Sequence, residues 1–302
     1  MTGFICLDKP MNITSFSAVG IMKRATGEKK AGHTGTLDPM ATGVLPVAFG
    51  AATRFIELFP THDKGYVATV KLGTVTDTLD ITGNVLSVTE SHITLNELNE
   101  ALSLFRGEIK QVPPMYSAIR KNGVRLYELA RRGEETEREE RDVIIHSLEL
   151  LDFDEKNQEF SISVDCSAGT YIRSLACDIG EKLGCGAVLT SLRRTKALGF
   201  TLENCVNEDE LKMYAREGRL GEILIKVEDA LAYEKIEVTE SQAKRFHNGG
   251  FLSTERIKQD LKPKTLYRVF SVQGEFTGIG ETDESCAQLD VKRVYMGDMS
   301  NG

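Results

Sequence analysis

No apolar run in this sequence approaches the roughly 18 residues that a membrane-crossing helix needs, so a helical span is excluded. The opening residues, MTGFICLDKPMNITS, lack a basic segment followed by an apolar stretch, and so show no signal-peptide pattern. None of the six cysteines (Cys6, Cys166, Cys177, Cys185, Cys205 and Cys286) stands in a CxxC pair. Without a cysteine framework or a targeting segment, the chain is expected in the cytoplasm with reduced thiols. Internal repeats and low-complexity linkers are missing too. Nor is there a surplus of positive charge. The net charge is −8, which taken alone argues against a polyanionic partner.

What is present is ordinary for a globular protein: 302 residues, 41% apolar and 27% charged. At roughly 150 residues per domain, that is enough for two domains. The charge is unevenly placed. Residues 1–132 hold 15 Lys+Arg against 12 Asp+Glu, a net of +3, whereas the remainder holds 22 against 33, a net of −11. Several of those acids form one run, GEETEREERD (133–142), which reads as a solvated face.

FICLDKP reads as a strand ending at Pro10, and Thr14 or Ser15 caps a helix to about Gly27 with Phe16, Val19 and Met22 on one face. AGHTGTLDPMATGVLP (31–46) is rich in Gly, Thr and Pro, and reads as a structured loop. Residues 65–72 and 84–90 look like strands. Thr94 and Glu97 form a capping box ahead of Leu98, Ala101 and Leu102. A short helix lies in 124–133, two alternating strands precede residue 167, and helices follow over 171–184 and 207–217. From about 235 the pattern is short strands and turns. Strands outnumber helices without alternating regularly with them, which predicts an α+β fold.

The 31–46 stretch holds one carboxylate, Asp38, followed by Pro39, among glycines that permit close approach of a ligand or backbone. On residue types alone, Asp38 is a turn-capping aspartate. GEKKAGHT (27–34) nearly matches a phosphate-binding G-x-x-x-x-G-K-[ST], but His33 occupies the lysine position and the preceding segment reads as helix, which excludes an NTPase loop.

GHTGTLDPMATGVLP closely resembles the signature of the bacterial tRNA pseudouridine-55 synthase family. LDKP, TDTLDITG (76–83), QVPPMYSAIRKNGVRLYELARRG (111–133), GTYIRSLACDIGEKLG (169–184) and LRRTKALGF (192–200) resemble the family's other motifs, in its order. The resemblance covers roughly residues 3–200. It implies an α+β catalytic domain with a mixed, mainly antiparallel sheet over 1–234, an RNA-binding thumb at about 111–142, and a small PUA-like β domain over 235–302.

It also implies a reaction: uridine at position 55 of the tRNA T-loop becomes pseudouridine, with no cofactor and no metal. The match makes Asp38 the nucleophile, Arg173 the cation that keeps it ionised, Tyr171 the group that removes the C5 proton and Tyr66 the aromatic against the base. Without the resemblance, Tyr171 reads as a half-buried core tyrosine and Arg173 as a solvated charge. Leu192 matches a leucine closing the uracil pocket, or is plain core. His33 matches a residue filling the space vacated by the flipped base. Otherwise it is a loop histidine bonded to backbone. Lys9, Lys121, Arg125 and Arg193 are implied RNA contacts, and the basic residues 120–132 interleave with Tyr116 and Tyr127. Arg193, Arg194 and Lys196 read as phosphate contacts or as a solvated cluster.

The expected partner is the T-arm of tRNA, with no membrane and no obligatory protein partner, and the expected state is a monomer. The guide-RNA-dependent relatives carry N-terminal additions, so the stand-alone form is expected here. A non-catalytic tRNA-binding or folding protein on the same scaffold is the alternative, and the presence of all four catalytic residues argues against it.

Overall fold

The structure is a computed structural model and describes residues 1–297 apart from 118, 122 and 131. Arg131, one of the basic residues read in the 111–133 stretch, lies outside the described residues. A large mixed sheet runs in the order Cys205–Val206, Gly3–Lys9, Thr42–Phe49, Ala187–Ala197, Lys64–Leu72, Glu159–Cys166, Arg141–Asp154, Gly107–Gln111. Gly3–Lys9 is parallel to Cys205–Val206, and Ala187–Ala197 is parallel to Thr42–Phe49. The other neighbours along this path are antiparallel. Glu234–Val238 begins a second, five-stranded sheet with Leu266–Ser271, Phe276–Thr282, Gln288–Val294 and Leu252–Ser253.

The apolar alternation of the strands selects the core. Val70, Phe160, Ile162 and Val164 meet Ile172, Leu175, Ala176 and Ile179 of the helix Ile172–Lys182, and Leu98 and Leu102 of Leu95–Ser103 join them. The capping box at Thr94 and Glu97 closes that second helix as its sequence predicts. Helix Ile172–Lys182 sits close against the sheet because Gly180 has no side chain. A Cβ there would fall 2.3 Å from the backbone nitrogen of Ala187. The helix Ser15–Thr26 buries Ala18, Val19 and Met22 over Ile5, Leu7, Leu45 and Val47.

The two sheets are joined by an apolar seam. Phe4, Phe55, Phe59 and Phe200 share one cluster with Phe276 and Ile279 of the second sheet. The Phe55 ring lies 6.2 Å from that of Phe276. Arg268 donates to the carbonyls of Tyr233 and Glu228 at the same junction.

Several elements differ from the sequence reading. Phe16 is 83% exposed, because Ser15, Ala18, Val19 and Met22 define the buried face of their helix. The 31–46 stretch is not all loop: Ala31–His33 and Thr42–Phe49 are antiparallel strands, and the irregular part is 34–41. Ala187–Ala197, a central strand, shows no clean alternation because register shifts near Ser191 and Lys196 break it. Beyond 235 there is a helix, Glu240–His247, capped by Thr239 and Gln242.

Candidate active site

Asp38 stands on the short loop between the strands Ala31–His33 and Thr42–Phe49. Its neighbours fix that loop. Leu37, Met40 and Ala41 are buried in the main core. Ser15 Oγ donates to the Leu37 carbonyl at 3.0 Å and accepts from the Leu37 amide at 2.8 Å. The Asn12 amide donates to the Pro39 carbonyl at 2.7 Å. Gly43 lets the loop's exit strand lie against Ala187–Ala197: its φ is +102°, and a Cβ would fall 2.1 Å from the Arg194 carbonyl oxygen.

Arg173 reaches Asp38 from the first turn of the helix Ile172–Lys182. Its Nε lies 2.9 Å from Oδ2 and its Nη2 donates to Oδ1 at 3.2 Å, a bidentate pair. The guanidinium also donates to the carbonyls of Thr78 at 3.0 Å and Tyr116 at 2.8 Å, and its Nη1 is 3.7 Å from Asp80 Oδ2. The Arg173 side chain is 5% exposed and that of Asp38 33%, so the cation is sealed while the carboxylate keeps one open side. Burial pushes the Asp38 carboxyl above the usual aspartate range and Arg173 pulls it back, while the like charge of Asp80 adds to the rise.

Asp80, within TDTLDITG, is a buried neighbour of this pair whose place has no signal in the sequence. Its Oδ1 accepts from Thr78 Oγ1 at 2.9 Å and from the amide and hydroxyl of Thr82 at 2.9 and 2.5 Å. A sealed guanidinium therefore stands between two carboxylates, Asp80 held by three hydrogen bonds on Oδ1 and Asp38 partly open to solvent. Gln111, in the QVPPMYSAIR stretch, is another buried polar residue beside the pair. Its side-chain amide clamps Tyr171, accepting from the Tyr171 amide at 2.7 Å and donating to its carbonyl at 3.0 Å.

Tyr171 is the N-cap of the Arg173 helix and is half-buried. Burial raises its phenol, while Ser117, Arg141 and Arg173 pull it down. Tyr66 is buried on the strand Lys64–Leu72, its phenol pushed up to about 12 by burial. Leu192 pairs across the sheet with Ala68 and belongs, with Tyr66, Leu37 and Met40, to the core beside Asp38. Its two readings are compatible. His33 is held neutral by burial and by Arg194, and its Nδ1 is buried without a partner.

The basic residues divide. Lys121 and Arg125 are exposed on a hairpin, Lys121 donating to the Glu137 carbonyl and Arg125 to Tyr127 Oη. Arg193 forms a bidentate pair with Asp8 at 3.1 and 2.7 Å. Lys9 and Arg194, read from sequence as RNA or phosphate contacts, are instead buried beneath the surface. Lys9 is 0% exposed, and its ammonium donates to the carbonyls of Pro10, Ile13 and Pro39. Arg194 is also 0% exposed and donates to the carbonyls of Val44, Thr36 and Gly35. Both side chains tie the Asp38 loop down from beneath.

An Asp–Arg ion pair near two tyrosines, on a mixed sheet with an appended β domain, is an arrangement compatible with a pseudouridine synthase. Comparison with known proteins agrees. The profile for the TruB family pseudouridylate synthase N-terminal domain matches residues 23–172, and that for the tRNA pseudouridylate synthase B C-terminal domain matches 173–232. The chain belongs to the TruB family of pseudouridylate synthases, which are isomerases. A tRNA pseudouridine synthase B of Clostridium perfringens is 45% identical over 293 residues, covering 96% of this chain and 98% of that protein. One from Azoarcus sp. is 45% identical over 281 residues, covering 92% and 90%. Among solved structures, an H/ACA RNP bound to a substrate RNA containing 2′-deoxyuridine matches with a TM-score of 0.74 and 25% identity, covering 98% of this chain and 86% of that one. A Cbf5-Nop10-Gar1 complex matches with 0.74 and 26%, covering 98% and 85%.

Proposed function

We propose that this enzyme isomerises the uridine at position 55 of the tRNA T-loop, acting alone as a monomer in the cytoplasm. The observation that carries the chemical reading is the bidentate pair between Asp38 and the sealed Arg173. The relatives named as tRNA pseudouridine synthase B support tRNA as the substrate.

The reaction breaks N1–C1′ and joins C5 to C1′ of the same sugar. The uridine must leave the base stack to reach Asp38, and a T-loop base is cheaper to extrude than a paired one. Asp38 acts as the ionised nucleophile. Its burial opposes ionisation, and Arg173 offsets that without competing for the outward lone pairs. Tyr66 and Leu192 enclose the uracil and keep water from the detached base, which would otherwise yield hydrolysis. Tyr171 passes on the proton released from C5. It is the better placed of the two phenols for this, since it is only half-buried and has two guanidinium groups drawing its pKa down. His33, neutral, stacks where the base has left, and Lys121 and Arg125 hold phosphate.

The test uses purified protein, a T-arm hairpin and pseudouridine mapping, with chelator and no nucleotide. Conversion is expected at the position-55 uridine alone. Asp38→Asn is expected to lose turnover by several orders of magnitude with hairpin binding retained. Comparable turnover in Asp38→Asn, or a need for a second protein, would overturn the reading.

A further inference from the structure

Between the two catalytic segments lies a small cavity of about 120 Å³, lined by Thr34, Gly35, His62, Lys64, Ala168 and Arg194. Thr34 and Gly35 lead from His33 to Asp38, and Ala168 precedes Tyr171. The cavity therefore opens at the junction of the chains that carry the reacting groups. Lys64 and Tyr66 are two residues apart on one strand and face the same side of the sheet, about 7 Å from each other along the backbone.

Its charge is unbalanced. Lys64 is half-buried, and its ammonium has no hydrogen bond or ion pair among the described residues. Arg194 beside it has only carbonyls and the Tyr66 hydroxyl as partners. Gly35 is within reach of both cations: a Cβ on it would sit 3.6 Å from Arg194 Nη1 and 3.6 Å from Lys64 Cε. The nearby carboxylates are turned elsewhere. Asp63 lies 3.3 Å from His146 Nε2. Asp165 pairs across the sheet with Gly65, on the face opposite Lys64. Burial and Arg194 both push the Lys64 ammonium towards its neutral form, a tension that an anion in the cavity would relieve.

We infer that this cavity seats a phosphate of the RNA backbone beside the extruded nucleotide, with Lys64 as its contact. Arg194 is sealed from solvent, so it adds field and no hydrogen bond, whereas His62 is exposed at the rim. The occupant is a phosphate oxyanion and its source is the substrate strand, so the inference rests on the reading that an RNA with a flipped uridine is bound here.

The experiment measures hairpin affinity against salt for the wild type, Lys64→Gln and Lys64→Arg, with melting curves as a fold control. Hairpins carry a single neutral methylphosphonate at each phosphate flanking the target uridine. Lys64→Gln is expected to weaken binding roughly tenfold, as for loss of one charge-assisted hydrogen bond, and to lower the salt slope by about 1. Lys64→Arg should recover most of both. One methylphosphonate should weaken wild-type binding by a similar factor and leave Lys64→Gln unaffected. An unchanged affinity and slope in Lys64→Gln would overturn the inference, as would a methylphosphonate penalty that persists undiminished in that variant. So would inhibition by inorganic phosphate, at constant ionic strength, that needs Lys64 while no methylphosphonate matters, since that marks a free-anion site. Should Lys64→Gln not fold, the wild-type methylphosphonate scan and Lys64→Arg decide alone. If the wild type binds the hairpin but forms no pseudouridine, the proposed function fails while the phosphate contact is still measured.

Discussion

Removing the Arg173 charge should unbalance the two carboxylates it separates. The guanidinium makes two contacts with Asp38 and two with the carbonyls of Thr78 and Tyr116, in a place where 5% of its surface meets solvent. Arg173→Met leaves Asp38 and the buried Asp80 without their paired guanidinium, with only the more distant Lys9 acting on Asp38, and breaking a buried pair from one side costs about 3–5 kcal/mol. That is a large share of the roughly 5–15 kcal/mol that holds a domain folded. With a urea slope of about 3 kcal/mol per molar, the midpoint should fall by about 1 M or more. Arg173→Lys keeps the charge but offers three donors in place of a planar fork, so at least one of the four acceptors loses its partner, at about 1–3 kcal/mol. Catalysis reports the same balance. Asp38 already titrates above the usual aspartate range because of burial, so turnover should fall as pH drops through that raised value. In Arg173→Lys the acid limb should move to higher pH, since the cation that lowers the Asp38 pKa is displaced. In Asp80→Asn it should move to lower pH, since a like charge is removed. The assays are urea unfolding followed by circular dichroism, and single-turnover pseudouridine formation against pH. Acid limbs that stay put in both variants, with an unchanged urea midpoint for Arg173→Met, would refute the account of Arg173 as the group that keeps Asp38 ionised.

Two further outcomes follow from buried groups. Burial pushes the Lys9 ammonium down from its ordinary 10.5 to about 8, so the unfolded chain binds more protons between those values and stability rises with pH across that window. Relative to Lys9→Met, the wild type should gain up to about 3 kcal/mol between pH 8 and 10.5; urea midpoints that keep a constant difference would contradict this. Phe276→Ala should cost about 3–5 kcal/mol, read as a lowered melting temperature, because its ring packs against Phe55, Phe270 and Tyr295 in the seam between the sheets. RNA affinity measured well below the melt should not change, and a loss of affinity at full stability would instead place an RNA contact there.

That seam also limits what truncation can teach. Positive charge concentrated before residue 133 suggests that removal of 235–302 leaves a working catalytic domain with weaker RNA binding. The structure opposes a clean cut. Phe55 is fully buried and Phe59 nearly so, both in the cluster that Phe276 and Ile279 complete. A shortened chain bares that cluster, so its behaviour reports solubility before it reports recognition. Arg268, on the second sheet, is occupied by the carbonyls of Tyr233 and Glu228.

What was legible in the sequence was local. The capping box at Thr94 and Glu97, the left-handed Gly184 after the helix Ile172–Lys182, and the alternation in Glu159–Cys166 are set by residues within a few positions of one another. Tyr171 and Arg173 could be placed together at a helix start for the same reason. What was not legible depends on distant packing. Lys9 reads as an RNA contact and Arg194 as a phosphate contact or solvated cation in sequence, but the 34–44 segment brings carbonyls to both, joining the local carbonyls of Pro10 and Ile13 at Lys9. The helix Glu240–His247 has only Ala243 and Phe246 buried, too few for a periodic signal, although Thr239 and Gln242 spell its capping box.

The burial of Lys9 bears on Asp38, the proposed nucleophile. A nucleophile that must be buried and ionised gains from cations held where substrate cannot reach them, since such charges act through the field without being neutralised by bound phosphate. Arg173 supplies that field by direct contact, and Lys9 lowers the Asp38 pKa from beneath the same loop. Three cations thus stand beneath or beside the 34–41 loop in positions that sequence alone reads as surface. Their cost in desolvation is met by backbone carbonyls that a regular strand or helix would have used internally. The irregular 34–41 loop frees the carbonyls of Gly35 and Thr36 to hold Arg194 and that of Pro39 to hold Lys9, and of these two cations it is Lys9 that lowers the Asp38 pKa.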